Sequence, residues 1–418
     1  MALIVQKYGG TSVADADRMR AVADHIAYTR RQGHDVVVAV SAMGKTTDRL
    51  IALAEEVSLS RPGREMDMLL TTGERQSMAL LCMALADRGV EAVSFTGSQV
   101  GIITDNVHGK AKILEVKGDR VREALARGMV CVVAGFQGIS TEREITTLGR
   151  GGTDTTAVAL AAAFKADVCE IYTDVTGVFT ADPRIVPLAH KLAHISFDEM
   201  LEMAASGGRV LALRSVEFAR NHQIPVHVRS SFTWEPGTWV TSDDTERNME
   251  DPIISGVVHD VSEAKVTVTN VPDRPGVSAA LFEPLAAANI NVDMIVQNTS
   301  KDGTTDISFT VPKADMAVSE KIVADVGAQI GAGGVSHEAD IAKVSLVGAG
   351  MKSTPGIAAK MFRVLADEGV NIEMISTSTI RISVVMRAGD MERAVRALHT
   401  AFDLDSGQAY AAPLPERM

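Results

Sequence analysis

The C-terminal part of the chain contains one segment written twice, and that repetition constrains the fold more than any single motif does. KVTVTNVPDRPGVSAALFEPLAAANINVDMI, from Lys265, is echoed by KVSLVGAGMKSTPGIAAKMFRVLADEGVNIEMI, from Lys343. Pro275-Gly276 aligns with Pro355-Gly356 and Asn291 with Asn371, each 80 residues on, whereas the opening lysines are 78 apart, so one turn has gained two residues. Each copy reads as strand, Pro-Gly turn, helix and strand, then a further strand (TDISFTV, IRISVVM) and a helix at 316–326 or 391–402. That is the split βαβ order of a ferredoxin-like unit. Two copies are too few for a solenoid, so the pattern predicts a pair of small domains. The strand IISGVVH ahead of the first copy is a candidate to complete the sheet of the second.

Upstream, short β-branched runs alternate with longer amphipathic stretches. Candidate strands lie at 2–7, 35–40, 92–96, 129–134, 168–173 and 226–229. Helical patterns at 14–31 and 66–88 end at Gly33 and Gly89, the expected stop just past a last turn. Such alternation predicts a mainly parallel sheet sandwiched by helices. The character changes in EPGTWVTSDDTERNMEDP, which has five acids between Asp243 and Asp251 and no apolar period. We therefore expect a first domain over 1–245, a linker and joining strand over 246–264, and the two repeats at 265–340 and 341–418.

At 418 residues with only 4% aromatics, the core has to be aliphatic. A net charge of −12 with no basic block argues against nucleic acid as a partner. Cys82, Cys131 and Cys169 show no metal spacing and suit a reducing cytoplasm. No signal-peptide pattern and no apolar run of roughly 18 residues is present, so the expectation is a cytoplasmic protein with no membrane partner.

Five stretches could carry chemistry. IVQKYGGTSV places Lys7, Gly9 and Gly10 where a strand hands over to a helix, the edge at which ligands collect. TLGRGGTDTTAVALAAAF sets Gly149, Arg150, Gly151 and Gly152 before a helix, with Thr153 or Asp154 available as N-cap; free N–H groups and Arg150 suit a carboxylate or phosphate. YTDVTGVFTADPR offers Asp174, Asp182 and Arg184 in a turn-rich loop, and LLTTGERQSMALL puts Glu74 near the mouth of an apolar helix. Each also has an ordinary structural explanation as turn, cap or helix-dipole chemistry. AVSAMGKTTDRL approaches a P-loop but has Ala39 where the pattern needs glycine; it still offers Ser41 and Thr47 at a strand end. The ten histidines form no metal pair, and no hydrolytic triad is legible.

Taken in order, KYGGTSV, VSAMGKTTD, TTGE, GRGGTDTTA, YTDVTGVFTADPR and LRSVEFAR make the chain resemble the aspartokinases, with the repeats similar to their paired C-terminal ACT domains. The resemblance implies an amino-acid-kinase fold followed by two βαββαβ ACT domains, and the transfer of phosphate from ATP to the β-carboxylate of L-aspartate. It implies Lys7, Gly9 and Gly10 at the ATP phosphates with Ser41 nearby. Thr47, Glu74, Arg150, Gly151, Gly152 and Thr153 would hold aspartate, Glu74 on the ammonium and Arg150 on the α-carboxylate. Thr173, Asp174, Phe179, Asp182, Arg184 and Arg209 would form the nucleotide pocket, with Mg²⁺ carried by the phosphates. Asp154 would orient Lys7.

In the repeats the resemblance implies Asp273, Gly276, Gln297, Asn371 and Ile372 as contacts for threonine or lysine, in an oligomer joined through ACT domains; some relatives also make a separate regulatory subunit from an internal start, for which Met249 is suitably placed here. Two positions depart from the pattern: GGRVL has Arg209 where relatives often carry Lys, and STSTIRIS has Thr379 where they often carry Glu, which bears on a cationic effector. The competing expectations are a kinase for glutamate or acetylglutamate, an amino-acid sensor with an inactive kinase half, and a P-loop NTPase.

Overall fold

The computed structural model describes residues 1–242, 254–298, 303–352 and 354–406. The first part runs β1 (Leu3–Tyr8), α1 (Ala16–Arg31), β2 (Asp35–Val40), α2 (Thr46–Val57), α3 (Gly63–Ala86), β3 (Ala92–Phe95), α4 (Gly97–Val100), β4 (Ile102–Thr104), β5 (Ile113–Val116), α5 (Asp119–Ala126), β6 (Val130–Ala134), β7 (Gln137–Ser140), β8 (Ile145–Thr147), α6 (Gly152–Phe164), β9 (Val168–Thr173), β10 (His194–Ser196), α7 (Phe197–Ala205), α8 (Leu213–His222), β11 (Val226–Ser230) and β12 (Thr238–Thr241). Eight strands form one sheet in the order β10-β12-β11-β9-β1-β2-β6-β3, in which only β11 and β12 pair antiparallel. DVVVAV in β2 and VCVVA in β6 are nearly continuous apolar runs because both faces of the sheet are covered. Val5, Val37 and Ala39 pack towards α6, whose residues are buried all round from Gly152 to Ala161. Tyr8, Val36, Val38 and Val40 face α1 and α3.

β1 has β2 on one side and β9 on the other, so the strand order reverses at Lys7. In an open parallel sheet this switch point, at the carboxyl ends of the strands, is where a crevice opens. The short strands β4, β5, β7 and β8, together with β10 and β12, are additions to the six strands that periodicity predicts. β12 occupies part of the stretch that reads as a change of domain character, and the acids Asp243–Asp251 lie outside the described residues.

The remainder runs β13 (Gly256–Asp260), β14 (Glu263–Pro272), α9 (Val277–Ala287), β15 (Ile295–Gln297), β16 (Thr304–Pro312), α10 (Met316–Ile330), β17 (Gly334–Glu338), β18 (Ile341–Val347), α11 (Ile357–Asp367), β19 (Met374–Thr377), β20 (Arg381–Arg387) and α12 (Met391–Ala401). Two four-stranded antiparallel sheets result, β15-β16-β14-β17 and β13-β18-β20-β19. β13, the IISGVVH strand, pairs with β18 and so completes the sheet of the second repeat.

The two units meet through Met294 and Val296 against Ile341, Met374 and Val385. Charge crosses between them reciprocally. Lys343, 1% exposed, reaches across to Glu263 at 2.6 Å and to Asp293, while its repeat partner Lys265 reaches across to Glu373 and pairs within its own sheet with Glu338 at 2.8 Å.

Candidate active site

Strand ends at the switch point deliver the first set of side chains. Lys7 leaves β1 with its ammonium 2.7 Å from Asp154 Oδ1, both side chains about nine-tenths buried. The ammonium lies 3.2 Å from where a Cβ on Gly9 would stand, so the glycine leaves the lysine its space. Ser41, just past β2, donates to Thr153 Oγ1 at 2.9 Å. Glu74 is not in the first turn of its helix. Because α3 begins at Gly63, directly after Pro62, Glu74 stands in its middle and is 3% exposed. One carboxylate oxygen accepts the Ala42 N–H at 3.2 Å, and Oε2 is buried with no partner. Burial pushes the carboxyl up to about 7, against the pull of that N–H.

The glycine loop also departs from expectation. Neither Thr153 nor Asp154 caps α6; the N-cap is Gly151, at φ 73°, where an added Cβ would come within 2.5 Å of the Ala212 methyl. Asp154 is in the first turn, and its carboxylate turns to Lys7 instead of the helix end. Arg150 is exposed and makes no ion pair with another described residue. A cavity of about 310 Å³ unites Lys7, Gly9, Gly10, Ser41, Thr47, Glu74, Arg150, Gly151, Gly152, Thr153 and Asp154. Phe136, Ala42 and Gly44, which sequence reasoning did not select, also line it. The P-loop-like Lys45 is exposed at the start of α2 and does not line this cavity.

A second cavity, of about 580 Å³, opens beyond β9 and gathers Thr173, Asp174, Phe179, Asp182, Arg184 and Arg209. Arg184 is 87% exposed and donates to the Asp182 carboxylate at 2.6 and 3.0 Å, which holds that carboxyl below its usual range. Other parts of the wall were not foreseen: Met200 and Met203 come from α7, Gly207 and Gly208 from the following turn, and Val257, Val258 and His259 from β13. α7 is also held by the second repeat and by the segment leading into its sheet. Glu199 accepts from Ser255 Oγ at 2.6 Å and Ala349 N–H at 3.0 Å, and Glu202 from Ser378 Oγ at 2.9 Å and Arg381 at 3.1 Å.

Asp273, Gly276 and Gln297 are exposed on the first unit, where Gly276 caps α9 at φ 94° and Ser278 lies 3.4 Å from the Gln297 amide oxygen. Asn371 is exposed and Ile372 half-buried on the second unit. No hydrogen bond or ion pair among the described residues joins the two groups. Met249 lies outside the described residues.

A cation, an orphaned carboxylate and a glycine-capped helix start converge in the smaller cavity, beside a larger cleft on the same sheet edge. This is the arrangement of a phosphotransferase acting on a small zwitterion. Comparison with known proteins agrees: the amino acid kinase family profile matches residues 2–230, and the ACT domain profile matches 266–325 and 344–402. The aspartokinase of Mycolicibacterium smegmatis is 55% identical over 417 residues, covering 98% of this chain and 99% of the relative. That of Mycobacterium tuberculosis is 56% identical, with 97% of each covered. The structure of Escherichia coli aspartokinase III in complex with aspartate and ADP aligns over 96% of this chain and 99% of that one, at 28% identity and a TM-score of 0.82. The chain belongs to the aspartokinase family.

Proposed function

We propose that the chain transfers the γ-phosphoryl group of ATP to the β-carboxylate of L-aspartate, giving 4-phospho-L-aspartate on the route to lysine, threonine and methionine. The observation that carries the reading is the pairing, in one small cavity, of a buried carboxylate oxygen without a partner on Glu74 and the exposed guanidinium of Arg150, which makes no ion pair among the described residues. An α-amino acid brings the complementary ammonium and α-carboxylate, and Thr47, Gly151, Gly152 and Thr153 line the same space. Its β-carboxylate, with a reference pKa near 4, is already ionised and needs no general base. The difficulty is the meeting of two anions, which calls for fixed cations and N–H dipoles.

Lys7 supplies that charge at the phosphates, where Gly9 and Gly10 allow close approach, and Asp154 holds the ammonium in place. Ser41 adds a hydroxyl, and the larger cavity takes the nucleotide between Thr173, Asp174, Phe179, Asp182, Arg184 and Arg209. Mg²⁺ would be held through the ATP phosphates and would offset part of their charge. We assign 1–245 to catalysis, 246–264 to the joining segment, and 265–340 and 341–418 to two ACT domains that take threonine or lysine at Asp273, Gly276, Gln297, Asn371 and Ile372. The edge strands β15 and β19 carry Ile295 and Ile375, 53% and 44% exposed, which favours a homo-oligomer through the ACT sheets. A regulatory subunit from an internal start at Met249 would share that surface.

The test is ADP release with Mg-ATP and aspartate or glutamate, with threonine and lysine added singly and together. Aspartate-dependent release that an effector depresses is expected. Preference for glutamate, or ligand binding with no release from folded protein, would overturn the assignment.

A further inference from the structure

The last helix of the second repeat is fastened to the loop that carries Phe179, Asp182 and Arg184. His399 in α12 is fully buried; its Nε2 is 2.8 Å from Thr180 Oγ1, and its Nδ1 is 2.6 Å from Asp405 Oδ1. One turn earlier, Arg396 Nε donates to the Ile185 carbonyl at 2.9 Å. Thr180 is held from two further sides: its hydroxyl accepts the His190 N–H at 3.1 Å, and its carbonyl accepts the Val257 N–H of β13 at 2.7 Å.

The direction of the bonds follows from what each group can do. Asp405 as a carboxylate only accepts, so Nδ1 carries the imidazole proton. Burial lowers the His399 pKa against the pull of Asp405, which leaves Nε2 as a lone pair and makes the Thr180 hydroxyl the donor. Hydroxyl, imidazole and carboxylate are ordered as in a nucleophilic triad. Here, however, Thr180 is 4% exposed and bonded on both sides, so the arrangement fastens the loop and attacks nothing.

We propose that Thr180, His399 and Asp405, with Arg396, are positioning residues for the nucleotide: through them the second repeat sets the Phe179–Arg184 loop and thereby the KM for ATP, without touching the aspartate subsite. This rests on placing ATP in the larger cavity. The loop lines that cavity through Phe179, Asp182 and Arg184, while Thr180 and Ile185 are gripped by α12 and Thr180 also by β13, so loosening the grip changes nucleotide affinity first. Aspartate affinity is set across the β1 switch point by Glu74 and Arg150, which have no part in the relay.

The experiment compares Thr180→Val, His399→Ala and His399→Gln in the full chain, measuring both KM values, kcat and ADP affinity by calorimetry. Thr180→Val keeps the shape and loses the hydroxyl, whereas Gln at 399 can still accept from Thr180. Thr180→Val and His399→Ala are expected to raise the ATP KM and the ADP Kd by about three- to tenfold, as loss of one buried hydrogen bond implies. The aspartate KM and the kcat at saturation stay within about twofold, and His399→Gln recovers most of the loss. Unchanged nucleotide affinity in the folded variants, or an equal loss in both KM values and kcat, overturns the proposal. Should His399→Ala not fold, Thr180→Val and Arg396→Gln carry the same comparison. Asp182→Ala and Arg209→Ala separate the two levels. If they leave ADP binding intact, the cavity assignment fails; if they weaken it while Thr180→Val does not, only the relay fails.

Discussion

In the role proposed for it, Glu74 makes the aspartate site pH-sensitive in a window where the substrate's carboxylates do not titrate. Burial raises this carboxyl from its ordinary 4.5 to about 7, and only the ionised form can take the substrate ammonium at Oε2. The apparent aspartate KM therefore scales as one plus the ratio of protonated to ionised Glu74, about 1.1 at pH 8 and about 11 at pH 6, a tenfold rise. The sign for stability is opposite to that of a salt-bridged acid. The folded pKa lies above the unfolded value, so the folded state is penalised as Glu74 ionises, by nothing below about pH 4.5 and fully above about 7. A displacement of that size corresponds to about 3 kcal/mol. Glu74→Gln should then raise the Tm of the ligand-free protein at pH 8 while abolishing the thermal shift that aspartate produces. The assays are initial rates of ADP release against aspartate at saturating ATP from pH 6 to 8, and thermal melts of both proteins. An aspartate KM flat across that range, or a Gln variant that melts lower and still binds aspartate normally, would refute the role given to this carboxylate.

Lys7→Ala should lower kcat by about 100-fold or more, as removal of fixed charge at a reacting phosphate does, while Lys45→Ala leaves turnover within about twofold. A P-loop mechanism requires the reverse, so one pair of rate measurements separates them. Gly135→Val should silence the enzyme with its far-ultraviolet circular dichroism intact. A Cβ there would stand 2.5 Å from the Thr153 methyl and 2.8 Å from its hydroxyl, displacing the start of α6. Lys343→Ala leaves Glu263 and Asp293 without their cation and should cost about 3–5 kcal/mol in urea unfolding. Combining Lys343→Met with Glu263→Gln and Asp293→Asn should recover most of that loss.

What the sequence made legible was local. The strands at 35–40 and 168–173 coincide with β2 and β9 because apolar runs bounded by polar turns leave little choice of register. The residues expected around the nucleotide share one cavity because they follow one strand end or lie one helix away. Glu74 was misplaced along its helix because Gly63, Arg64 and Glu65 give no apolar signal, although Pro62 was the available marker of the start. The cap at Gly151 was missed because threonine and aspartate are ordinarily better caps, and here a distant lysine competes for the aspartate. Met200, Met203 and His259 in the nucleotide wall, like the bond from Thr180 to His399, depend on how the two halves of the chain pack. No periodic pattern encodes that.

The two residues by which the repeats differ in length bear on how the halves communicate. They fall between the opening lysine and the Pro-Gly turn. There the second copy winds into a 3-10 turn, Ala349–Lys352, while the first passes from β14 straight towards its turn. The N–H of Ala349 is the group that reaches Glu199 on α7. Ser255, Val257, Ser378, Arg381, Arg396 and His399, which also bond to the first domain, belong likewise to the second unit or the segment leading into its sheet. On the effector contacts proposed above, a signal arriving at Asp273, Gly276 or Gln297 on the first unit can reach the wall of the larger cavity through the face where Lys265 pairs with Glu373 and Lys343 with Glu263 and Asp293. The two sheets match in strand order, and the longer turn and β13 are what join the second of them to α7 and to the wall of the larger cavity.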